Sequence, residues 1–337
     1  MKAIVLVGGF GTRLRPLTLT APKQMLPVGS MTMLERVVAK LGSHGVDEVV
    51  LSLGYQPDAF TSEFPDGTCA GVRLVYAVEP EPLDTAGAIA FAARAAGLSE
   101  RVLAVNGDVL TDLDVAALWQ RHEQFGAEAT IALTPVEDPS RFGVVPIDDD
   151  GRVEAFIEKP DPGTAPSNWI NAGTYVLEPS VLDHVPTDRQ VSIERETFPG
   201  LVERGSLYAV QSDAYWIDAG TPAAYLQANL DLLDGVRGGF EPGIATTARI
   251  DADAKVSRSM VGPGAVLAAG TEVVDSVVMA GARIAPGTRV ERSLIGARSS
   301  IGESSELSEL AVVGYEQDLP AGTVARGGCF PDPSTWQ

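Results

Sequence analysis

From residue 250 to residue 312 aliphatic side chains return at a fixed interval. Ile250, Val256 and Val261 are followed by Leu267, Val273 and Val278, then by Ile284, Val290 and Ile295, then by Ile301, Leu307 and Val312. The steps are six, five and six residues, so each triplet recurs after 17. All twelve positions are Ile, Val or Leu, and small residues, Gly and Ser dominate the intervals. Such a period makes each 17-residue stretch one turn of a coil. One aliphatic per face points inward and stacks on its equivalents above and below, while Gly and Ser supply the corners.

The pattern resembles the hexapeptide repeats of left-handed parallel β-helices, with one face of each turn shortened by a residue. About four turns fit into residues 250–325, after a linker at 234–249 and before a tail at 326–337. A β-helix of this type can itself be an acyltransferase, and that resemblance implies a His general base within the coils. The three histidines, His44, His122 and His184, all precede the repeats. The coils are therefore expected to be structural, extending the core and offering an assembly surface.

Residues 1–233 have a different texture. Ala3–Val7 reads as a buried strand, 31–41 as a helix, 49–53 and 72–78 as strands, 86–96 as a helix and 102–106 as a strand. This β-α-β-α order implies a Rossmann-like, mostly parallel sheet covered on both faces, with ligands at the carboxyl ends of its strands. Strands predominate over 129–176, which suggests added antiparallel ribbons on the substrate side. Helices over 193–203 and 222–233 close the region. A chain of 337 residues has length enough for two such domains.

The longest apolar runs are strand-sized and too short to span a membrane. The start, Met1-Lys2-Ala3-Ile4-Val5, enters a strand at once and leaves no room for a signal peptide. Cys69 and Cys329 lack metal spacing and read as reduced thiols of a cytoplasmic protein. A net charge of −20 argues against broad nucleic-acid binding. It also means that an anionic substrate must be drawn in by a local cluster of cations or by a metal ion.

Such a cluster lies in the stretch LVGGFGTRLRPLTLTAPKQMLPV, from Leu6 to Val28, where Arg13, Arg15 and Lys23 stand with no acid among them. Gly8, Gly9 and Gly11 allow backbone N–H groups to approach a phosphate chain without a Cβ in the way. The stretch is not a P-loop, since no Gly-Lys-Ser/Thr follows. Nor is it a dinucleotide fingerprint, since Leu14 stands where the third Gly belongs.

GGFGTRLRPLT with PKQMLPV resembles the signature of the sugar-phosphate nucleotidylyltransferases, which join a sugar 1-phosphate to an NTP and release pyrophosphate. VNGDVL, FIEKP, NAGTYVL, SIERETFP and YWIDAGTP follow in the family's order, so the resemblance spans residues 1–233. It implies a Mg²⁺ ion on Asp108 and Asp218. It implies Arg13, Lys23 and Lys159 as the catalytic cations, on the leaving pyrophosphate, the α-phosphate region and the incoming sugar phosphate in turn. Leu6, Gly8, Gly9, Gly11, Thr12, Arg13, Lys23, Glu79, Pro82, Asp84 and Gly107 would meet the nucleotide. Gly143, Glu158, Lys159 and Asn171 would meet the sugar phosphate, with Gly173 lining that pocket. The attacking phosphate oxygen is already an anion, so the reaction needs no general base. Positioning and charge neutralisation carry it.

The segment EPEPLDTAGA matches the family's base-contacting turn, with Asp84 where a Gly commonly stands. Asp tolerates the left-handed conformation at modest cost. Guanine offers N1–H and an exocyclic NH₂ side by side, a pair that a carboxylate can accept, so Glu79 or Asp84 facing the base would favour GTP. The character of the motifs looks most like the mannose-1-phosphate guanylyltransferases. Glucose 1-phosphate with dTTP or UTP is the alternative, and a catalytically silent sugar-nucleotide sensor is an alternative of another class. A homo-oligomer is expected, because a β-helix has open ends and exposed strand edges invite pairing.

Overall fold

The apolar runs of the N-terminal half become strands of one mixed sheet. The computed structural model describes residues 1–54 and 57–336. It divides into two units, Met1–Gly9 with Leu34–Trp216 and Phe10–Met33 with Ile217–Gln337.

In the first unit ten strands form the sheet. They are β1 (Lys2–Leu6), β2 (Glu48–Leu53), β3 (Thr68–Cys69), β4 (Val72–Val78), β5 (Val102–Asn106), β6 (Ala129–Pro135), β7 (Gly143–Val144), β8 (Ile157–Glu158), β9 (Trp169–Leu177) and β10 (Leu207–Gln211). Their order is β8-β7-β9-β5-β1-β2-β4-β3, with β6 pairing both β9 and β10. β1 pairs in parallel with β2 and β5, and β2 in parallel with β4. The antiparallel ribbon expected over 129–176 is present, since β9 runs antiparallel to β5, β6 and β7. Every residue of β2 is buried, as a strand covered on both faces requires. The helix Asp84–Ala95 packs on β1 and β2, and most of its buried residues, Ala86, Gly87, Ala88, Ala90, Ala92 and Ala93, are small and permit close approach.

The helix expected over 31–41 runs Met33–Ser43, because Met31–Thr32 pairs instead with Pro27–Val28. A helix at Val115–Phe125 escaped the periodicity reading. Its buried face is only Val115, Leu118 and His122, and a polar residue there weakens the apolar period. Its caps are nonetheless in the sequence. Asp114 accepts from Ala117 N at 2.9 Å, and Gly126 closes the helix at φ +61°. The helix expected over 193–203 begins as one π-helical turn, Ile193–Thr197, before the α-helix Phe198–Glu203.

In the second unit the 17-residue period becomes three five-stranded parallel sheets, the sides of a left-handed β-helix. The interior stack contains Leu267, Val273, Val278, Ile284, Val290, Ile295, Ile301 and Leu307, all buried. One position departs from expectation. Val313, not Val312, takes the inward place, pairing with Ile295, while Val312 pairs with Leu294. The fourth turn is longer by one residue, absorbed where Glu309 and Leu310 both adopt positive φ, 54° and 68°. Strands continue through Asp318–Leu319, Val324–Arg326 and Cys329–Phe330, so each side has five strands where about four turns were expected, and the coil runs into the segment expected as a tail at 326–337. Gln337 lies outside the described residues.

Buried serines stitch successive turns together. Ser259, Ser276 and Ser293 stand 17 residues apart, and each hydroxyl donates to the carbonyl two residues back. Ser259 Oγ accepts from Ser276 N at 3.0 Å, and Ser276 Oγ from Ser293 N at 3.1 Å. These corner N–H groups would otherwise be orphaned. In the same unit the helix Pro222–Leu233 holds the segment after Lys23. The Tyr225 hydroxyl donates to Pro27 O, and Asn229 Oδ1 accepts from Gly29 N at 2.9 Å. Among the described residues no helix is long and apolar enough to cross a membrane.

Candidate functional site

Strands β1 and β2 end side by side, and each is followed by a glycine. Val7 N donates to Ser52 O, after which Gly8 and Gly54 pass so closely that a Cβ on Gly54 would meet Gly8 O at 3.2 Å. This approach opens a cleft of about 240 Å³ at the carboxyl ends of the strands, where an open α/β sheet presents its ligand site. Leu6, Gly8, Gly9, Gly54, Glu79, Pro82, Leu83, Asp84, Thr85 and Ala88 line it. It thus gathers six of the residues expected to meet the nucleotide: Leu6, Gly8, Gly9, Glu79, Pro82 and Asp84.

The Glu79 carboxylate is held from two sides. Oε1 accepts from Ser52 Oγ at 2.9 Å and Oε2 from Leu83 N at 3.2 Å. Each oxygen retains a lone pair for a further donor. Asp84 sits at φ +59°, so the left-handed turn is made without the Gly that commonly stands there, and its Oδ1 accepts from Thr85 N at 2.7 Å. Gly107 donates its N–H to Leu6 O at 3.0 Å, and a Cβ there would meet that oxygen at 2.8 Å. Asp108 follows, two residues beyond the end of β5.

The sugar-phosphate candidates form a second group in this unit. Gly143 lies opposite Glu158 in the β7–β8 pair, and a Cβ on Gly143 would meet Phe156 at 2.6 Å and Glu158 Oε2 at 3.1 Å. Lys159 Nζ lies 3.3 Å from Glu158 Oε1. β9 bulges between Asn171 and Tyr175. There Asn171 Oδ1 accepts from Gly173 N at 2.9 Å, and its Nδ2 donates to the Tyr175 hydroxyl at 2.9 Å. Burial holds the Tyr175 phenol well above its ordinary pKa, and the nearby Glu194 carboxylate raises it further. The Trp216 ring N–H donates to Ala172 O at 2.9 Å, and the ring meets Phe142 edge-on.

In the other unit Gly11, Thr12, Arg13, Lys23 and Asp218 belong to one neighbourhood. Gly11 takes φ +61°, its carbonyl accepts from Thr18 Oγ1 at 2.7 Å, and a Cβ on it would meet Lys23 Cβ at 3.3 Å. Thr12–Leu14 is a short 3-10 turn that carries Arg13 outward. Arg13 Nη2 lies 3.4 Å from Asp218 Oδ2, while Asp218 Oδ1 accepts from Gly220 N at 2.9 Å. Gly220 has no room for a Cβ, which would meet both Arg13 Nη2 and Asp218 Oδ1 at 2.7 Å.

Among the described residues no three His, Cys, Asp or Glu side chains gather into a metal cage. Asp108 and Asp218 offer hard oxygen donors, and Mg²⁺ is ordinarily held by one or two carboxylates with substrate phosphates completing its shell. The donor chemistry fits that ion. Sequence reasoning missed Gly54, Leu83, Thr85 and Ala88 in the cleft wall and Ser52 behind Glu79. Gly54 was readable as the counterpart of Gly8, a glycine just past the end of the neighbouring parallel strand.

The sequence matches the Nucleotidyl transferase family over residues 2–235 and the GMPPB C-terminal domain over residues 242–329. The mannose-1-phosphate guanylyltransferase of Mycobacterium tuberculosis is 40% identical over 275 residues, 81% of this chain and 75% of that one. Mannose-1-phosphate guanylyltransferase 1 of Arabidopsis thaliana is 34% identical over 97% of this chain and 95% of its own. Among solved structures, HddC of Yersinia pseudotuberculosis complexed with GMP-PN superposes with a TM-score of 0.59 at 29% identity, covering 68% of this chain and 97% of that one. A putative glucose-1-phosphate thymidylyltransferase of Bacillus anthracis gives a TM-score of 0.62 at 27% identity, covering 68% of this chain and 94% of that one. The motifs of the first 233 residues and a family match over most of the chain agree: the chain belongs to the nucleotidyl transferase family.

Proposed function

We propose that this protein transfers a guanylyl group from GTP to mannose 1-phosphate in a Mg²⁺-dependent reaction, giving GDP-mannose and pyrophosphate. The observation that carries the choice of base is the Glu79 carboxylate, fixed in the cleft by Ser52 and the Leu83 N–H. It suits the adjacent N1–H and NH₂ of guanine better than the single N–H of thymine or uracil. The names of the curated relatives and the GMP-PN complex of HddC support the same choice.

In this reading an oxygen of mannose 1-phosphate attacks the α-phosphorus of GTP, and pyrophosphate leaves in line. Lys159 holds the incoming phosphate and Lys23 the α-phosphate. Arg13 exchanges Asp218 for the pyrophosphate oxygens, bringing a planar multi-donor cation to the charge that develops there. Asp108 and Asp218 would hold Mg²⁺, which when bound would neutralise phosphate charge. Glu158 and Asn171 receive the sugar hydroxyls. Copies of the chain associate as a homo-oligomer.

The test is pyrophosphate release from the purified chain with Mg²⁺, crossing GTP, ATP, CTP, UTP and dTTP against mannose 1-phosphate and glucose 1-phosphate. Turnover confined to GTP with mannose 1-phosphate is expected. Turnover with dTTP or UTP and glucose 1-phosphate would overturn the choice of base and sugar while leaving the reaction class. Absence of turnover with every pair would favour the sensor.

A further inference from the structure

The turn that walls the nucleotide cleft is strapped to a segment more than a hundred residues away in sequence. Val191 N donates to Leu83 O at 3.0 Å, and Val191 O accepts from Ala86 N at 2.9 Å and Gly87 N at 3.2 Å. One side-chain knot secures the strap. Thr85 Oγ1 donates to Glu194 Oε2 at 2.8 Å and accepts from Ile193 N at 2.8 Å. The same carboxylate oxygen accepts from Ser192 Oγ at 3.0 Å, and Ser192 Oγ in turn accepts from Arg195 N at 3.3 Å. Thr85 therefore uses its one donor and one of its two acceptor lone pairs on the same short segment, while its side of the turn faces the cleft.

Glu194 lies in a π-helical turn, Ile193–Thr197. A π turn is less favourable than continued α-helix and gathers at functional sites. Here it includes Ile193 and Glu194, the two residues that bond the Thr85 hydroxyl. The carboxylate is half-buried, and its charge is felt at Tyr175, the phenol that takes the Asn171 amide. One acid thus borders both the nucleotide turn and the sugar-phosphate candidates. Nothing in the nucleotidyl-transfer chemistry itself calls on it.

We propose that Glu194 is a positioning residue for the nucleotide: through Thr85 it fixes the turn 83–87 in the shape that the base and ribose meet. This rests on the functional reading above. Its loss leaves the phosphate-handling cations in place, so it is read in KM for the NTP and not in kcat. A purely structural acid would instead lower the melting temperature and disturb every kinetic constant together.

The test uses the full chain and five variants: E194A, E194Q, T85V, T85S and the E194A/T85V double. E194A and T85V are each expected to raise KM for GTP about tenfold, the scale of one hydrogen bond to a charged group, with kcat within about twofold. The double variant is expected to be no worse than either single, because both break the same bond. E194Q keeps an acceptor and T85S keeps the hydroxyl, so both should return to within about threefold. Hydrogen exchange on the ligand-free protein should show faster amides over 85–88 and at Ile193 in E194A and T85V. Additive effects in the double variant would overturn the proposal, as would a fall in kcat at constant KM or unchanged exchange. If E194A does not fold, the T85V and T85S pair decides. The exchange experiment needs no turnover, so a failure of the guanylyltransferase reading would remain separable from a failure of the strap.

Discussion

Gly173 shows how little slack the proposed sugar side contains. Its φ is +72°, and a Cβ would meet Asn106 Nδ2 at 2.6 Å. Gly173→Ala is expected to destabilise by about 2 kcal/mol from backbone strain and displacement of Asn106, and to raise KM for the sugar 1-phosphate. Urea unfolding beside steady-state kinetics checks this, and an unchanged midpoint would contradict it. Glu79 permits a sharper test of base recognition. ITP lacks only the exocyclic NH₂, so the native protein should prefer GTP over ITP by about tenfold and Glu79→Gln should erase most of that preference. His122 supplies the pH dependence. It is 1% exposed, its ring nitrogens meet Thr130 Oγ1 at 2.8 Å and Glu178 Oε1 at 3.1 Å, and burial lowers its pKa below the ordinary 6.5. The unfolded chain therefore takes up the proton first. Stability contributed by the neutral ring is present above 6.5 and is lost as pH falls from there through the folded-state value. Melting temperatures at pH 7.5 and pH 5.5 should fall further for the native chain than for His122→Gln.

Elements translate the same rules into larger effects. Ile284 is buried in the middle of the aliphatic stack, whereas Ile250 in the first turn is only half-buried. Ile284→Ala should cost about 3 kcal/mol and Ile250→Ala less than half as much, measured by denaturant midpoints; equal costs would contradict the stack as described. Ser276→Ala should cost about 1–3 kcal/mol, since it removes the acceptor for the buried Ser293 N–H. The contrast between such elements also explains what the sequence disclosed. The β-helix was legible because its inward positions up to Leu307 are aliphatic and the turns up to there share one length. Strands β1 and β5 were legible from the apolar runs Ala3–Val7 and Val102–Val105, and β2 from Val49, Val50, Leu51 and Leu53 in spite of Ser52. The helix Val115–Phe125 was not, because His122 interrupts its buried face. In the site, residues whose type is itself the chemistry could be named: Arg13, Lys159, Asp108 and the glycines. Thr85 and Glu194 lay inside the quoted stretches EPEPLDTAGA and SIERETFP without a role, and Ser52 lay outside every motif. Their importance lies in hydrogen bonds to segments remote in sequence, and a Thr or Ser hydroxyl has no local pattern that announces its partner.

On the scale of the whole molecule, charge decides what the chain must do for itself. A net charge of −20 disfavours the approach of a triphosphate and a sugar phosphate alike. Catalysis by the reading above should therefore stop on removal of divalent metal with EDTA and return on adding excess Mg²⁺. Activity that survives chelation would overturn the metal role of Asp108 and Asp218. Light scattering at micromolar concentration should give a multiple of the 35.3 kDa chain mass, and a monomeric mass would dispose of the self-association proposed. The extra residue in the fourth β-helix turn has its own consequence. Up to Leu307 the repeat is a clock that ticks every 17 residues, and at Glu309–Leu310 it loses one beat. Any reading frame carried forward at the old interval then names the outer neighbour of each inward residue, as it named Val312 for Val313. Later turns remain regular but out of phase, so the coil has to be counted afresh from its far end.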